Sequence, residues 1–133
     1  MNVLELKNVH KIYDSSEIEV HAVDGVTLSI SEAEFVAIVG PSGSGKTTLL
    51  NMIGGLDMPT SGEIIIDGTD LSKLKPSQLI DFRLRNIGFV FQSYNLIPVL
   101  TAKENVEFIM TLQKWPPEER DARTLELLKA VGL

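Results

Sequence analysis

The chain contains no cysteine, which excludes disulfide bonds and thiolate metal sites and fits a reducing compartment. No apolar run approaches the roughly 18 residues that carry a helix across a bilayer. Its start, Met1-Asn2-Val3-Leu4-Glu5, lacks the basic and apolar regions of a signal peptide. Direct membrane insertion is therefore not expected, and any membrane role would come through a partner. Positive charge is scarce: 12 Lys and Arg stand against 18 Asp and Glu, a net charge of −6. That argues against nucleic acid as a partner, because its binders are normally basic. His10 and His21 have no ligand-like spacing with other residues. There is no internal repeat or low-complexity segment. What remains is a chain of 133 residues, 44% of them hydrophobic, enough for one domain with a core.

One stretch organises it, Gly40-Pro41-Ser42-Gly43-Ser44-Gly45-Lys46-Thr47-Thr48. Gly40 to Thr47 fits the phosphate-binding pattern G-x-x-x-x-G-K-S/T. The glycines let the backbone curl and approach a phosphate with no side chain in the way. The curl aims successive amides at one point, an anion-binding nest, and a helix starting near Lys46 adds its free N–H groups. Lys46 is positioned for the β- and γ-phosphates, and the Thr47 hydroxyl for Mg²⁺. Context supports the motif. Phe35, Val36, Ala37, Ile38 and Val39 form an apolar run into Gly40, expected to be a parallel strand buried on both faces. After the loop come Leu49, Leu50, Met52 and Ile53 of a helix, which Gly54-Gly55 can stop.

Before the loop, residues 3–9 alternate apolar and polar as a half-exposed strand does. A turn is expected over Ser15, Ser16 and Glu17, and a second strand region at 19–30 is interrupted by the turn signal Asp24-Gly25. Two or three antiparallel strands thus precede the phosphate loop. Residues 63–68 read as a short strand closed by Asp67-Gly68. A helix is expected over 77–85 and a second buried strand over 86–91, ending on Gln92. The segment 93–100 is irregular, with an apolar cluster of Tyr94, Leu96, Ile97, Val99 and Leu100 in a stretch expected to be exposed. Thr101-Ala102-Lys103-Glu104 has capping-box form and opens a helix to about Lys114. A last helix runs from about Glu118 to Val131, with an apolar stripe of Leu125, Leu127, Leu128 and Val131.

These landmarks, with Tyr13 upstream, Pro59-Thr60-Ser61-Gly62, and Ile87-Gly88-Phe89-Val90-Phe91-Gln92, resemble the ATP-binding subunits of ABC transporters through essentially the whole chain. Gly54-Gly55-Leu56-Asp57 and the wording of residues 95–106 look like the branch serving lipoprotein release and macrolide export. The resemblance implies an α/β phosphate-loop NTPase fold with an antiparallel β-subdomain, the β-subdomain and loop core covering about 1–92 and the start of the helical subdomain about 92–133. It implies ATP and Mg²⁺ as ligands. Gly40, Pro41, Ser42, Gly43, Ser44, Gly45, Lys46, Thr47 and Thr48 would cradle the phosphates. Tyr13 would stack on adenine, a flat apolar face at small entropic cost. Gln92 would contact Mg²⁺ and the attacking water, an amide being both cation ligand and water donor. Residues 93–110 would face a membrane permease, and the whole protein would act as a homodimer on the cytoplasmic face of the membrane, coupling ATP hydrolysis to export or extraction.

Two departures stand out. Where the family has glycine before Glu34, this chain has Ala33, at a cost of about 1 kcal/mol if the position has positive φ. The family's Leu-Ser-Gly-Gly-Gln signature, Walker B strand and switch histidine would all follow Leu133, and none lies within these residues. The chain alone is thus expected to bind ATP at most. Two rival readings are a soluble phosphoryl-transfer enzyme and a non-catalytic nucleotide-binding or interaction module. The absence of an Asn-Lys-x-Asp guanine motif counts against a GTPase. Tyr13 and the β-rich preface count against a small-molecule kinase.

Overall fold

The computed structural model describes residues 1–15 and 17–133. They form two compact units, Met1–Ile80 and Asp81–Leu133. In the first, strands β1 (Asn2–Ser15), β2 (Ile18–Ser31), β3 (Ser61–Ile66) and β4 (Thr69–Asp70) form an antiparallel sheet in the order β2-β1-β3-β4. Ser16, within the turn expected between the first two strands, lies outside the described residues. Leu4 and Leu6 point inward, as period-2 alternation requires. Strict alternation would then bury Asn8, but the register shifts between Leu6 and Val9 and Val9 is buried instead. Asn8 has a positive φ of 48°, and its N–H donates to Thr27 Oγ1 at 2.9 Å. The bulge presses its carbonyl against Gly62, where a Cβ would collide with it, so only glycine fits.

Asp24-Gly25 is likewise a bulge and not a turn. β2 runs unbroken through it, with the shift falling between the Val9–Val26 and Lys11–Val23 pairs and Gly25 at φ 66°. The same dipeptide chemistry that permits a turn permits a bulge when both flanks already have a ladder partner. Asp67-Gly68 is the turn it reads as: φ values of 48° and 76° join β3 to β4 with both central residues left-handed.

Helix α1 (Lys46–Ile53) buries Leu49 and Met52, which join Leu4, Leu6, Val9, Val23, Ile64 and Leu71 in the core. Each such side chain contributes about 1.5–3 kcal/mol by leaving water. Gly54-Gly55 ends α1 as expected: Gly55 has φ 66°, and the Gly55 and Leu56 amides donate to Met52 O and Asn51 O at 3.0 and 2.8 Å, a Schellman stop.

The expected buried strand at 35–39 is not found. No described residue pairs with it, and Phe35 and Val39 are 98% and 86% exposed. An apolar run becomes a buried strand only where neighbours supply its ladder and cover its faces. In the second unit, residues 87–91 repeat this. Phe89 and Phe91 stack on one side with centroids 5.6 Å apart and Val90 is fully exposed, side chains alternating as on a strand, yet without a partner strand.

Helix α2 (Pro76–Asn86) leads into the second unit, where α3 (Ala102–Leu112) and α4 (Pro117–Ala130) pack together. The capping box is present: Thr101 Oγ1 accepts from the Glu104 amide at 3.2 Å and Glu104 Oε2 from the Thr101 amide at 2.7 Å. The stripe expected to bury α4 is mostly in water. Leu125, Leu127 and Val131 are exposed, Leu128 is half-buried, and the buried residue is Thr124. Helix α3 covers one narrow face of α4, and that face is centred on Thr124.

Candidate functional site

Gly43 and Gly45 have φ of 79° and 91°, the left-handed conformations that curl residues 40–45. Gly45 is also the N-cap of α1, with no side-chain cap and no acidic residue in the first turn. The first amides of α1 thus keep their hydrogens for an anion. A Cβ on Gly45 would strike the Ala22 carbonyl oxygen of β2, so the loop lies against the strand at a distance that only glycine allows. Lys46 Nζ folds back over the loop, donating to Gly40 O at 2.6 Å, Pro41 O at 2.8 Å and Ser44 Oγ at 3.3 Å. The ammonium thus lies over the loop that the two left-handed glycines curl.

Beside it opens a cleft of about 410 Å³, within the size range of small-molecule sites. One wall is the loop, residues 38–41 and 44–46. The other is β2, with His21, Ala22, Val23, Asp24 and Val26. These β2 residues carry no motif, and only the pairing of β2 with β1 and the close approach of Gly45 bring them to the site. Asp24 Oδ1 lies 3.3 Å from His10 Nδ1, and Glu19 Oε1 lies 3.0 Å from His21 Nε2.

Tyr13 is not part of these walls. It sits on β1 opposite Val20, one register step past the Ile12–His21 pair, and the residue is 43% exposed. Its hydroxyl donates to Asp57 Oδ2 at 3.0 Å, and Lys11 Nζ donates to Asp57 Oδ1 at 2.9 Å. Burial pushes the Asp57 carboxyl up. The hydrogen bonds from Lys11, Tyr13 and the Met58 amide, with the Lys11 charge, outweigh it and hold the group below 3.8.

Thr47 lies in the first turn of α1, exposed beside Lys46. Its hydroxyl is a hard oxygen suited to Mg²⁺. Among the described residues no cluster of His, Asp and Glu is placed to hold a metal. Thr47 would be a candidate ligand for a cation that phosphate oxygens and water also hold. Gln92 belongs to the second unit, exposed on the irregular stretch after Phe91.

Residues 23–133 match the family described as ABC transporter. An uncharacterised ABC transporter ATP-binding protein of Thermotoga maritima is 52% identical over 131 residues, 98% of this chain and 56% of that protein. The macrolide export ATP-binding/permease protein MacB of Brucella abortus is 46% identical over 131 residues, covering 98% of this chain and 20% of that one. Among solved structures, the ATP-binding cassette MJ0796, a dimer in a post-hydrolysis state bound to ADP and Pi, matches with a TM-score of 0.88 and 50% identity over 95% of this chain and 56% of that one. MJ0796 is also a relative from Methanocaldococcus jannaschii, 48% identical over 134 residues, 98% of this chain and 57% of that protein. The chain thus spans about half the length of the cassettes it matches, and its fold is that of the ABC ATPase cassette.

Proposed function

The chain belongs to the ABC transporter family, within its ATPase domain, and from that premise we propose that it binds ATP at residues 40–48. The observation that carries this is Lys46 Nζ folded over the curled Gly40–Gly45 loop at the amino end of α1, beside the β2 cleft. Lys46 and the loop amides hold the phosphates. Tyr13 offers its exposed ring to the base. A Mg²⁺ ion, when bound with the nucleotide, supplies charge neutralisation at the phosphates, with Thr47 as ligand. Gln92, on the stretch that follows residues 87–91, would offer its amide as a ligand to the ion and as a donor to the attacking water.

In the whole protein this binding drives export or extraction of a substrate through a membrane permease, with two cassettes acting together. The relative MacB, a macrolide export ATP-binding/permease protein, and the dimeric cassette MJ0796 support both parts of that reading. The protein then works at the cytoplasmic face of the membrane. Residues 1–92 serve as the β-subdomain and loop core, and 92–133 as the start of the helical subdomain. The permease-facing surface lies around Tyr94, Leu96 and Val99, all exposed, on a loop latched by Asn105. That side chain accepts from Ile97 N at 2.8 Å and donates to Leu100 O and Thr101 O at 3.2 and 2.9 Å.

Calorimetric titration with Mg-ATP tests the proposal. Saturable binding is expected, weakened about 100-fold or more in Lys46→Ala, since hydrogen bonds to charged groups contribute about 1.5–3 kcal/mol each. A folded protein with no binding, or a variant with unchanged affinity, sinks it.

A further inference from the structure

β1 is clamped along residues 10–13 by the segment that leaves α1. Lys11 Nζ donates to Asp57 Oδ1 at 2.9 Å and to Met58 O at 2.7 Å, and Tyr13 Oη donates to Asp57 Oδ2 at 3.0 Å. The Ile12 amide donates to Thr60 Oγ1 at 2.9 Å, and the Thr60 amide to His10 O at 2.8 Å. Each Asp57 carboxylate oxygen thus has its own donor from β1, and Oδ1 takes the Met58 amide as well, at 2.8 Å. The Lys11 side chain is only 15% exposed, and its Nζ lies over the Tyr13 ring, 5.1 Å from the centroid. The tyrosine is therefore held twice, at its hydroxyl and across one ring face.

What holds it is anchored to α1. The Leu56 and Asp57 amides donate to Asn51 O at 2.8 and 3.3 Å, so Asp57 follows the end of the helix whose first residue is Lys46. One eight-residue helix then carries the phosphate-binding ammonium at its start and the anchor of the aromatic ring just past its end. We propose that Asp57 is a positioning residue for the base of the bound nucleotide. It fixes Tyr13 through the hydroxyl and keeps Lys11 over one ring face, so that the base stacks on the opposite face at a span set by α1. An aromatic ring immobilised beforehand loses less freedom when a base stacks on it. An ammonium on one face also makes two-sided stacking impossible. This rests on the reading of Tyr13 and residues 40–48 as one nucleotide site.

The test compares two ligands, ATP and inorganic tripolyphosphate, in the intact protein and in Tyr13→Ala, Tyr13→Phe and Asp57→Asn. Tripolyphosphate reports the phosphate cradle alone. Tyr13→Phe and Asp57→Asn are each expected to weaken ATP about 3- to 10-fold while leaving tripolyphosphate within about 2-fold. On a Tyr13→Ala background, Asp57→Asn should add nothing, as a residue acting through the ring must. Should Asp57→Asn fail to fold, Tyr13→Phe still decides, because it removes one hydroxyl and keeps the ring. If Tyr13→Ala weakens ATP but neither of the others does, the anchoring role is overturned and base stacking stands. If ATP and tripolyphosphate fall together, Asp57 is a structural clamp and the proposal fails. If Tyr13→Ala changes nothing, base stacking fails with it, whereas the phosphate cradle is judged separately by Lys46→Ala.

Discussion

At its phosphate end the proposed site is made of backbone amides that glycines let curl. At its base end it is made of three side chains, Tyr13, Lys11 and Asp57, that hold one another. The first has no atom to spare. Gly45 touches the Ala22 carbonyl oxygen so closely that one added carbon collides with it. The second depends on atoms reaching across from another element, so it is weakened by removing them. The difference teaches that a short, dense motif records a backbone-built site well. A side-chain-built site is scattered over positions that only the fold assembles.

The two ends should therefore fail in opposite ways. Gly45→Ala adds an atom in a left-handed position against backbone, and a loss of about 2–5 kcal/mol in stability is expected, read by denaturant unfolding. A variant as stable as the parent would show that loop and strand separate easily, and the contrast would collapse. Lys46→Ala deletes the charged side chain of the phosphate end, and ATP and tripolyphosphate should weaken together, about 100-fold or more. A loss confined to ATP would move Lys46 to the base end. Ala33, at φ 62°, occupies the position where the sequence departs from glycine. Ala33→Gly should raise stability by about 0.5–1 kcal/mol, a rise in Tm that calorimetry resolves, with nucleotide affinity unchanged.

The smallest expected effect is the pH response of the base end. The Asp57 carboxyl is held below its ordinary value of 3.8. A group depressed in the folded state contributes stability above its unfolded pKa and loses it as pH falls through the folded one. The contribution is then complete at neutral pH and fades below about pH 4. With Asp57 about a third exposed, it stays under about 1 kcal/mol. Unfolding measured from pH 6 down to 3 in wild type and Asp57→Asn should show the wild type's advantage shrinking with acid. An advantage that persists would mean the carboxylate charge is not what Lys11 and Tyr13 hold.

Local chemistry was legible in the chain wherever it acts over a few residues. The Thr101–Glu104 capping box, the Asp67-Gly68 turn, the Gly54-Gly55 helix stop and the loop glycines all appear as read, because each is decided by φ preferences and neighbouring hydrogen bonds. Ala33 does have a positive φ, the condition on which the cost expected of its departure from glycine depended. Errors came where a pattern needs a partner. Residues 35–39 are more apolar than β1, yet β1 is paired and buries Leu4, Leu6 and Val9 while Phe35 stands in water. Asp24-Gly25 looked like a turn and is a bulge, since β1 continues past it. The stripe on α4 lost its burial to the face around Thr124 that α3 covers.

From its residues alone, then, the protein declared its phosphate loop, its turns and caps and its family, because these depend on interactions within a few positions of one another. Which apolar runs are covered, which β2 residues wall the cleft, and that Asp57 reaches across to Tyr13 were decided by tertiary structure. Strand pairing and side-chain contact join positions as far apart as Tyr13 and Asp57, and no local preference carries that distance.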